Sequence, residues 1–496
     1  MADKENPDSS YIEDVDEKQL QKTDHRVPVK PASLAALTDE EYTKLGRRAT
    51  LKLDAFIMPC MVIMYIFNYL DRQNIAAAKL AGIEEDLGIS DVQYQTCVSI
   101  LFVGYILMQV PSNIIVGKIR WPGVYICAAM ALWGLLSALT AIVHNFAGLM
   151  ASRFFLGFIE AVFFPGALFY MSLFYTRRQY ALRTAILYSG SQLGNAFGGL
   201  FAIGILELHG RSGMEGWRWL FLIEGVLTIA LAIIIAFVLP NKLNSLPHGF
   251  TQIEQEWLVW NFEEDQGQQD NADEISAMKG ALMAVTDIKT WLLMATLYTV
   301  YIAAAVSNFY PSVVATLGYG RNETYALTAP PYILCVIAMV INGFHSDRKQ
   351  ERYWHIVCPM IICLAANIIA VATLNTAARY VAMMLMPGSF YAAATVVISW
   401  AAGSLSQPTI KRASAIALIN AVCNTPNVWC SYLYGSSPRY LPAFLVNLAA
   451  SALAILAATA TRMYLQRENH KLDMGVDTGR NGPTEAQKAA GFRYTL

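Results

Sequence analysis

The chain has 496 residues, of which 55% are hydrophobic and only 15% charged, and its formal net charge is −1. Soluble domains carry about 25% charged residues, so this composition is typical of a membrane protein. The balanced charge gives no basic surface, and we expect no nucleic-acid partner. We also expect no cleavable signal peptide, since no charged start precedes a short apolar run and a small-residue cleavage site.

Residues 1–53 are polar, mixed in charge and poor in aromatic residues, which predicts a disordered cytoplasmic tail. About twelve apolar windows of spanning length follow. They lie near 54–72, 92–116, 124–143, 146–173, 184–206, 218–239, 288–312, 324–343, 354–374, 380–401, 412–434 and 440–463.

A polar segment over 241–287 divides the windows six and six. The pattern predicts an all-α integral membrane protein, with an N-terminal six-helix bundle over 54–240, a C-terminal bundle over 288–463 and a cytoplasmic tail over 464–496. In transporters built this way the halves rock around a solute held near the midplane.

The polar segment between the halves has one helical pattern of its own. Ile253, Trp257 and Trp260 recur at helical spacing opposite glutamates, which predicts an amphipathic helix on the membrane surface. Lysine and arginine are more frequent in the loops that lie inside if both termini are cytoplasmic. This orientation puts the Asn322-Glu323-Thr324 sequon outside, as a glycosylation candidate.

All eight cysteines fall in or beside apolar windows and without metal-ligand spacing, which predicts small buried side chains, not disulfides or a metal site. The sequence has no phosphate-binding G-x-x-x-x-G-K-[ST] loop. It also lacks a specific nucleophile–base pattern. We expect no cofactor, no metal and no enzymatic activity, so transport would use an existing gradient.

Two ionisable residues interrupt the fourth window. Arg153 and Glu160 are two helical turns apart on one face, about 10 Å along the axis. Charged groups inside a membrane are costly and usually face a bundle interior or a wet cavity. One hypothesis makes the two residues a path for a charged solute or a proton; the other makes them a buried ion pair that holds helices in register.

The loop after the eighth window contains Gly343, Asp347, Arg348 and Arg352. It resembles the G-x-x-x-D-R-x-x-x-R signature of the major facilitator superfamily, which implies a tight helix end at the glycine and a gating latch between helix ends. A solvated turn with topological charges is the alternative. The matching loop of the first half, Asn113 to Arg120, lacks the aspartate.

Longer stretches resemble the fungal allantoate permease family of anion:cation symporters, whose members move small organic anions. These stretches are Phe67–Ser90, Phe102–Ile114, Arg153–Arg183 and Gly216–Gly225. The resemblance implies that Arg153 and Glu160 are the family's charged positions, that Asp71-Arg72 is its pair ending span one, and that Glu224 is the acid of span six. Each also has a structural alternative, such as capping or packing. Gln109 and Cys423–Asn427 depart from the family pattern.

Polar residues also form stripes at helical spacing on four spans. The resemblance implies that spans one, five, seven and eleven form much of the cavity wall, where amides and phenols would bind a solute; interhelical hydrogen bonding is the alternative. The stripe residues are Tyr65, Asn68, Arg72, Tyr188, Gln192, Asn195, Tyr298, Tyr301, Asn308, Asn420, Asn424 and Asn427.

The leading hypothesis is a monomeric, multi-pass plasma-membrane transporter that takes up a small organic anion with protons. Arg153 would attract the carboxylate, and Glu160 would carry the proton or release its partner. One alternative exports a fungal secondary metabolite through a pocket altered at Gln109 and Pro426. Another, of a different class, is a nutrient sensor that binds its solute without transporting it.

Overall fold

The computed structural model describes residues 30–116, 119, 121–241, 243, 246, 249–267, 277–405, 409–476, 481–483 and 492–496. Within those residues the chain is helical and has no β-strand. The α-helices are α1 (Ala32–Ala35), α2 (Asp39–Leu80), α3 (Ile83–Leu87), α4 (Asp91–Val116), α5 (Pro122–Thr140), α6 (Phe146–Glu160), α7 (Phe163–Ser172), α8 (Arg177–Leu206), α9 (Gly216–Val238), α10 (Gln252–Gly267), α11 (Ala277–Val285), α12 (Ile288–Ala304), α13 (Tyr310–Ala315), α14 (Arg321–Lys349), α15 (Tyr353–Ala372), α16 (Thr376–Ser404), α17 (Thr409–Cys423), α18 (Pro426–Trp429) and α19 (Leu441–Asp473).

Helix α2 begins well before the first apolar window. Thr38 and Glu41 form a capping box, in which each side chain accepts a hydrogen bond from the other residue's amide. The prediction of disorder through residue 53 is therefore wrong from Ala32 onwards, since α1 precedes this helix and Leu34 is fully buried. Residues 1–29 of that predicted tail lie outside the described residues.

Nine helical segments in the described part of the chain are long and apolar enough to cross a membrane. Two further windows, 92–116 and 184–206, coincide with α4 and α8, of 26 and 30 residues. The last, 412–434, is divided among α17, α18 and a 3₁₀ turn over Cys430–Gly435. The twelve-helix prediction thus matches helical structure at every window.

The helices pack as two bundles. In the N-terminal bundle α2 packs on α8, α4 on α6 and α5 on α9; in the C-terminal bundle α14 and α15 pack on α16, and α12 and α15 on α19. Glycines allow close approach, as membrane helices favour. A Cβ at Gly157 of α6 would lie 1.9 Å from the Leu101 carbonyl oxygen of α4.

The bundles meet mainly through α8 with α14, and through α4 with residues 426–435. We call the end of the bundles from which residues 241–287 emerge the linker end, and the opposite end the far end. At the far end the Tyr325 hydroxyl donates to the Ala77 carbonyl across the bundles at 2.7 Å. Gly199 packs there against the Tyr325 carbonyl and Thr328, so the halves touch at this end.

Helix α10 lies against protein, contrary to the predicted membrane-surface position of its tryptophans. Trp257 is 7% exposed and fills the space beside Gly46 of α2, where a Cβ would lie 2.3 Å from the indole. Glu254 accepts a hydrogen bond from Lys52 at 2.7 Å and from the Thr251 amide at 2.9 Å. Burial alone would raise the pKa of Glu254, but these hydrogen bonds outweigh it and lower the pKa. The linker helix is therefore anchored to the N-terminal bundle.

The segment after α19 also packs against the protein. Helix α19 continues ten residues past the predicted boundary at residue 463, to Asp473. The Trp400 indole donates to the Thr495 carbonyl at 2.8 Å, and the Arg352 amide donates to the Leu496 carbonyl at 2.6 Å. Residues 492–496 therefore cover the linker end of the C-terminal bundle and are not a free tail.

The eight cysteines are unpaired in the structure. Six are buried, Cys60 is half-buried and Cys358 is exposed, so the expectation of burial is wrong for Cys358.

Candidate functional site

Three spanning segments are interrupted within the described residues, and each interruption lies next to a proline. The helix breaks at Ala161 and Val162 just before Pro165, at 305–309 before Pro311, and at 424–425 before Pro426. Proline lacks the amide hydrogen for the preceding turn, and its ring clashes with that turn's carbonyl. Interrupted backbone is tolerated at membrane depth where it is buried or lines a cavity.

Two of the breaks, together with α2, α4, α8 and α16, surround a cavity of about 70 Å³ between the two bundles. That volume is enough for a few water molecules. The lining residues are Tyr69, Arg72, Gln73, Phe102, Tyr188, Tyr301, Ala304, Ser307, Asn308, Tyr391, Asn424 and Asn427.

The remaining break, at Ala161 and Val162, places an acid beside this cavity. Glu160, the last residue of α6, is 1% exposed. Its Oε2 accepts from Arg72 Nε at 3.1 Å and from Nη2 at 2.9 Å, while Oε1 has no hydrogen-bond partner among the described residues. Arg72 reaches the acid from α2 and is the one cation among the described residues that line the cavity. The result is a buried cation–acid pair of which the arginine, and not the acid, lines the cavity.

Aromatic rings surround the guanidinium of Arg72. Its central carbon lies 5.1 Å from the ring centres of Tyr69 and Tyr105 and 5.7 Å from that of Phe102. Cation–π attraction strengthens when water is excluded. The rings therefore hold the guanidinium at the wall even if Glu160 is neutralised.

Arg153 does not pair with Glu160 as its two-turn spacing suggested. It is 2% exposed and points at the backbone of α2, where Nη2 donates to the Arg72 carbonyl at 3.1 Å and Nη1 lies 3.5 Å from the Asp71 carbonyl. Arg153 is also outside the cavity lining. Its geometry fixes the backbone that carries Arg72.

Asp71 and Glu224 are buried in the interior of the same bundle. Asp71 accepts from the Ser137 hydroxyl at 2.6 Å and the Thr228 hydroxyl at 3.0 Å. The Asp71-Arg72 pair does not end its helix, since α2 runs on to Leu80. Glu224 is 1% exposed within α9, and a packing role for it stays open.

The predicted stripes divide between the cavity and the packing around it. Arg72, Tyr188, Tyr301, Asn308, Asn424 and Asn427 line the cavity. Tyr65 and Asn68 are buried within the N-terminal bundle, Gln192 faces Cys335 of α14, and Asn195 lines a smaller cavity of about 20 Å³ towards the far end. Tyr298 accepts from the Trp429 indole, and Asn420 accepts from Asn424.

The predicted stripes did not include five residues that also line the cavity, namely Tyr69, Gln73, Phe102, Ser307 and Tyr391. Tyr69 and Gln73 flank the predicted stripe of α2, so a wider stripe would have included them. Ser307 lies on the 3₁₀ turn, where regular helical spacing fails. A proline follows each break, but Pro59 and Pro387 lie inside continuous helices, so proline alone does not identify a break.

The signature loop after α14 differs from the expected tight turn at glycine. Gly343 lies inside α14, which ends at Lys349 and is followed by Gln350 in the left-handed region at φ 51°. Arg352 donates to Asp347 at 2.6 Å, within the same loop, and Arg348 is exposed. The arginine–aspartate contact joins the last turn of α14 to the residue that precedes α15, two neighbouring helix ends; a gating role for it stays a prediction.

Asn322 is exposed in the first turn of α14, where its amide donates to Glu207 at 3.4 Å. Its glycosylation stays a prediction. No group of three or more histidine, cysteine, aspartate or glutamate side chains in the described part of the chain could hold a metal ion.

Comparisons with known proteins agree with this architecture. Residues 61–428 match the model of the Major Facilitator Superfamily. An uncharacterized transporter of Schizosaccharomyces pombe is 29% identical over 479 residues, covering 94% of each chain. A putative tartrate transporter of Agrobacterium vitis is 32% identical over 434 residues, covering 84% of this chain and 96% of its own.

Among solved structures, a bacterial homolog of the human lysosomal transporter Spinster, in an inward-facing and unoccupied conformation, superposes with a TM-score of 0.65. It is 15% identical to this chain and covers 83% of it and 98% of its own length. The two-bundle fold predicted from the sequence is confirmed.

Proposed function

Since this chain belongs to the major facilitator superfamily, we propose that it is a proton-coupled symporter for a small organic anion. It is an integral, multi-pass transport protein and not an enzyme. The stretches that resemble the allantoate permease family and the name of the tartrate transporter both support an anionic solute.

The ion pair of Arg72 and Glu160 carries this proposal. A buried arginine paired with a carboxylate can exchange that partner for a second carboxylate, because both carboxylates accept charge-assisted hydrogen bonds from the same guanidinium. Arg72 faces the cavity from which such a solute would arrive. We therefore assign solute binding to Arg72, where the sequence alone had favoured Arg153.

Glu160 supplies the coupling in this mechanism. An anion that reached Arg72 beside an ionised Glu160 would place two negative charges around one cation. Protonation of Glu160 removes that repulsion and releases the guanidinium for the solute. Proton and anion therefore bind together, and a proton gradient can drive accumulation of the anion.

Arg153 acts as a positioning residue in this scheme. Its hydrogen bond to the Arg72 carbonyl holds the turn of α2 that presents the guanidinium. Loss of Arg153 would disturb the site through the backbone, whereas loss of Arg72 would remove the binding group itself.

We further propose uptake across the plasma membrane by a monomer with both termini cytoplasmic. The lysine and arginine bias of the loops supports this orientation. Uptake follows from coupling to an inward proton gradient.

The proposal is tested in liposomes with an imposed pH gradient and an internal pH dye. A panel of carboxylates, tartrate included, is added outside, and solute-dependent proton entry is measured. Arg72→Gln should reduce that entry about 100-fold, because losing a charge-assisted bidentate contact costs about 3 kcal/mol. Arg439→Gln removes the same charge from an exposed loop and should have no effect. Equal activity of the two variants would refute the proposal.

A further inference from the structure

We infer that the C-terminal segment, residues 481–483 and 492–496, is an autoinhibitory latch that opposes closure of the linker end. The inference goes beyond the proposed function, because it involves neither the solute nor the ion pair of Arg72 and Glu160. It is carried by a buried lysine pair that joins two helices of the C-terminal bundle, and by the asparagine of the C-terminal segment that completes the pair's hydrogen bonds.

The lysine pair has more positive charge than its acid can balance. Lys289 of α12 and Lys411 of α17 are 3% and 2% exposed. Their Nζ atoms lie 3.1 Å and 2.6 Å from the same carboxylate oxygen of Asp287. Glu468 of α19 also acts on Lys289, but it is paired with Lys471 at 2.7 Å. One positive charge is therefore in excess, and a buried charge needs hydrogen-bond acceptors.

Asn481 supplies those acceptors. Its backbone carbonyl accepts from Lys289 Nζ at 2.7 Å, and its side-chain oxygen accepts from Lys411 Nζ at 3.4 Å. Its side-chain amide donates to the Thr286 carbonyl, between α11 and α12, at 3.1 Å. If Asn481 left, both lysines would lose an acceptor while still buried. Docking of the C-terminal segment is therefore coupled to the contact between α12 and α17.

The end of the C-terminal segment is held by further contacts. The Tyr494 carbonyl accepts from Asn469 Nδ2 of α19 at 2.9 Å, and the Tyr494 amide donates to Asn469 Oδ1 at 2.8 Å. The ring of Tyr494 is buried, with its centre 5.4 Å from Lys289 Nζ. With the bond from Trp400 to Thr495, the C-terminal segment joins α12, α16, α17 and α19 at the linker end.

Two of these helices run from the linker end to the cavity and stop there. Helix α12 ends at Ala304 and α17 at Cys423, and each is followed by one of the breaks at the cavity wall. A few residues at the end of an element can act as a hinge. The linker-end halves of these spans can therefore pivot at the breaks, unless their outer ends are tied together. Asp287, Lys411 and Asn481 form that tie.

The direction of the effect follows from which end is closed. The bundles touch at the far end, where Tyr325 donates to Ala77 and the hydroxyls of Thr96 and Tyr432 lie 3.2 Å apart. In alternating access the far end must then open while the linker ends approach one another. The docked C-terminal segment holds α12 and α17 together and covers the end of the bundle that must approach. Docking therefore stabilises the linker-open state, and release of the segment allows closure.

Two variants of Asn481 change the latch in opposite directions. Asn481→Asp places a second carboxylate beside the lysine pair and balances its charge. It loses the neutral hydrogen bond to Thr286, which is weaker than the charge-assisted bonds that it gains. Asn481→Leu retains a side chain of similar size but has no polar atom in it. Gln466→Glu adds the same charge as Asn481→Asp at an exposed position of α19 and is the control.

The first measurement is hydrogen exchange of residues 492–496 in the full chain, reconstituted in lipid nanodiscs. Relative to Gln466→Glu, exchange should be about fivefold slower in Asn481→Asp and about fivefold faster in Asn481→Leu. Equal exchange in all three variants would show that the lysine pair does not hold the C-terminal segment.

The second measurement is the distance between spin labels on exposed Arg47 of α2 and exposed Ala413 of α17, at the linker ends of the two bundles. Asn481→Leu should increase the short-distance, closed population about fivefold, and Asn481→Asp should decrease it. Unchanged or reversed populations would overturn the latch. Neither measurement needs a solute, so a failure of carboxylate-driven proton entry would refute the symport and leave this inference standing.

Discussion

Gly199 is the position where a single methyl group should change the balance between access states. It lies on α8, and a Cβ there would be 2.5 Å from both the Thr328 hydroxyl and the Tyr325 carbonyl of the other bundle. Ordinary contacts begin near 3.4 Å, so Gly199→Ala requires the bundles to separate by about 1 Å at the far end. Overpacking of this kind costs about 1–3 kcal/mol, a shift of about 5- to 150-fold away from the far-closed state.

Its neighbour provides a matched control. A Cβ at Gly198 would meet Leu70 at 3.7 Å, an ordinary contact within the N-terminal bundle. Both changes add one methyl group to the same helix and raise its helix propensity by the same amount. A difference between them therefore reports the contact across the bundles.

The assay is the distance between spin labels on exposed Val92 and Ser436, near the contact of Thr96 with Tyr432 across the far end. Gly198→Ala should keep the parental short distances, and Gly199→Ala should populate longer ones and slow transport. Equal distances and equal transport in the two variants would show that the far-end contact does not control closure.

Three further changes test other contacts. Tyr325→Phe removes the hydroxyl that donates to Ala77, worth about 0.5–1.5 kcal/mol, and should shift the same label distances two- to tenfold towards the open population; no shift would contradict the contact. Because the pKa of Glu254 is lowered in the folded protein, its contacts with Lys52 and Thr251 stabilise the packing of the linker helix at pH values above the ordinary glutamate pKa. This stabilisation is lost as the pH falls through the lowered pKa. The rate of limited proteolysis of the linker should therefore rise at acid pH in the parent protein. In Glu254→Gln the linker should be cleaved rapidly already at neutral pH, and equal cleavage rates of parent and variant at neutral pH would disprove the anchor. Trp400→Phe removes the donor to Thr495, so hydrogen exchange of residues 492–496 should accelerate while α16 stays protected, and unchanged exchange would count against the packed segment.

The twelve windows and their six-and-six division could be predicted because apolar length is a local property of sequence. The helix breaks could not be predicted from proline alone, because Pro165, Pro311 and Pro426 stand beside them while Pro59 and Pro387 lie inside continuous helices. The partner of Glu160 could not be predicted from the sequence either. Spacing places Arg153 and Glu160 on one face of a helix, but it says nothing about which neighbouring helix brings its own arginine to that face.

The sequence predicted only some of the cavity-lining residues, because helical periodicity identifies residues only where the helix is regular. Tyr188 and Tyr301 were identified because their helices are regular around them. Ser307 lies on a 3₁₀ turn, where regular spacing fails. Phe102 shares a face of α4 with Gln95 and Gln109, seven residues away on either side, but it is apolar, so a search for polar residues passes over it. Burial also separates stripe members that the sequence treats alike: Asn68 is 2% exposed inside its bundle, while Asn424 lines the cavity.

Under the proposed symport, the N-terminal and C-terminal walls of the cavity have different roles, and this division would prevent a proton leak. Arg72 and Glu160 both belong to the N-terminal bundle, so their pairing can form or break without moving the bundles relative to one another. Protonation alone therefore has no direct contact through which to change the far-end closure. A solute bound to Arg72 that also reaches Asn308 and Asn427 would connect the bundles and supply the differential contact that such a transition needs. Under the proposed symport, the proton would cross only together with its anion, because the anion is the group that would contact both bundles.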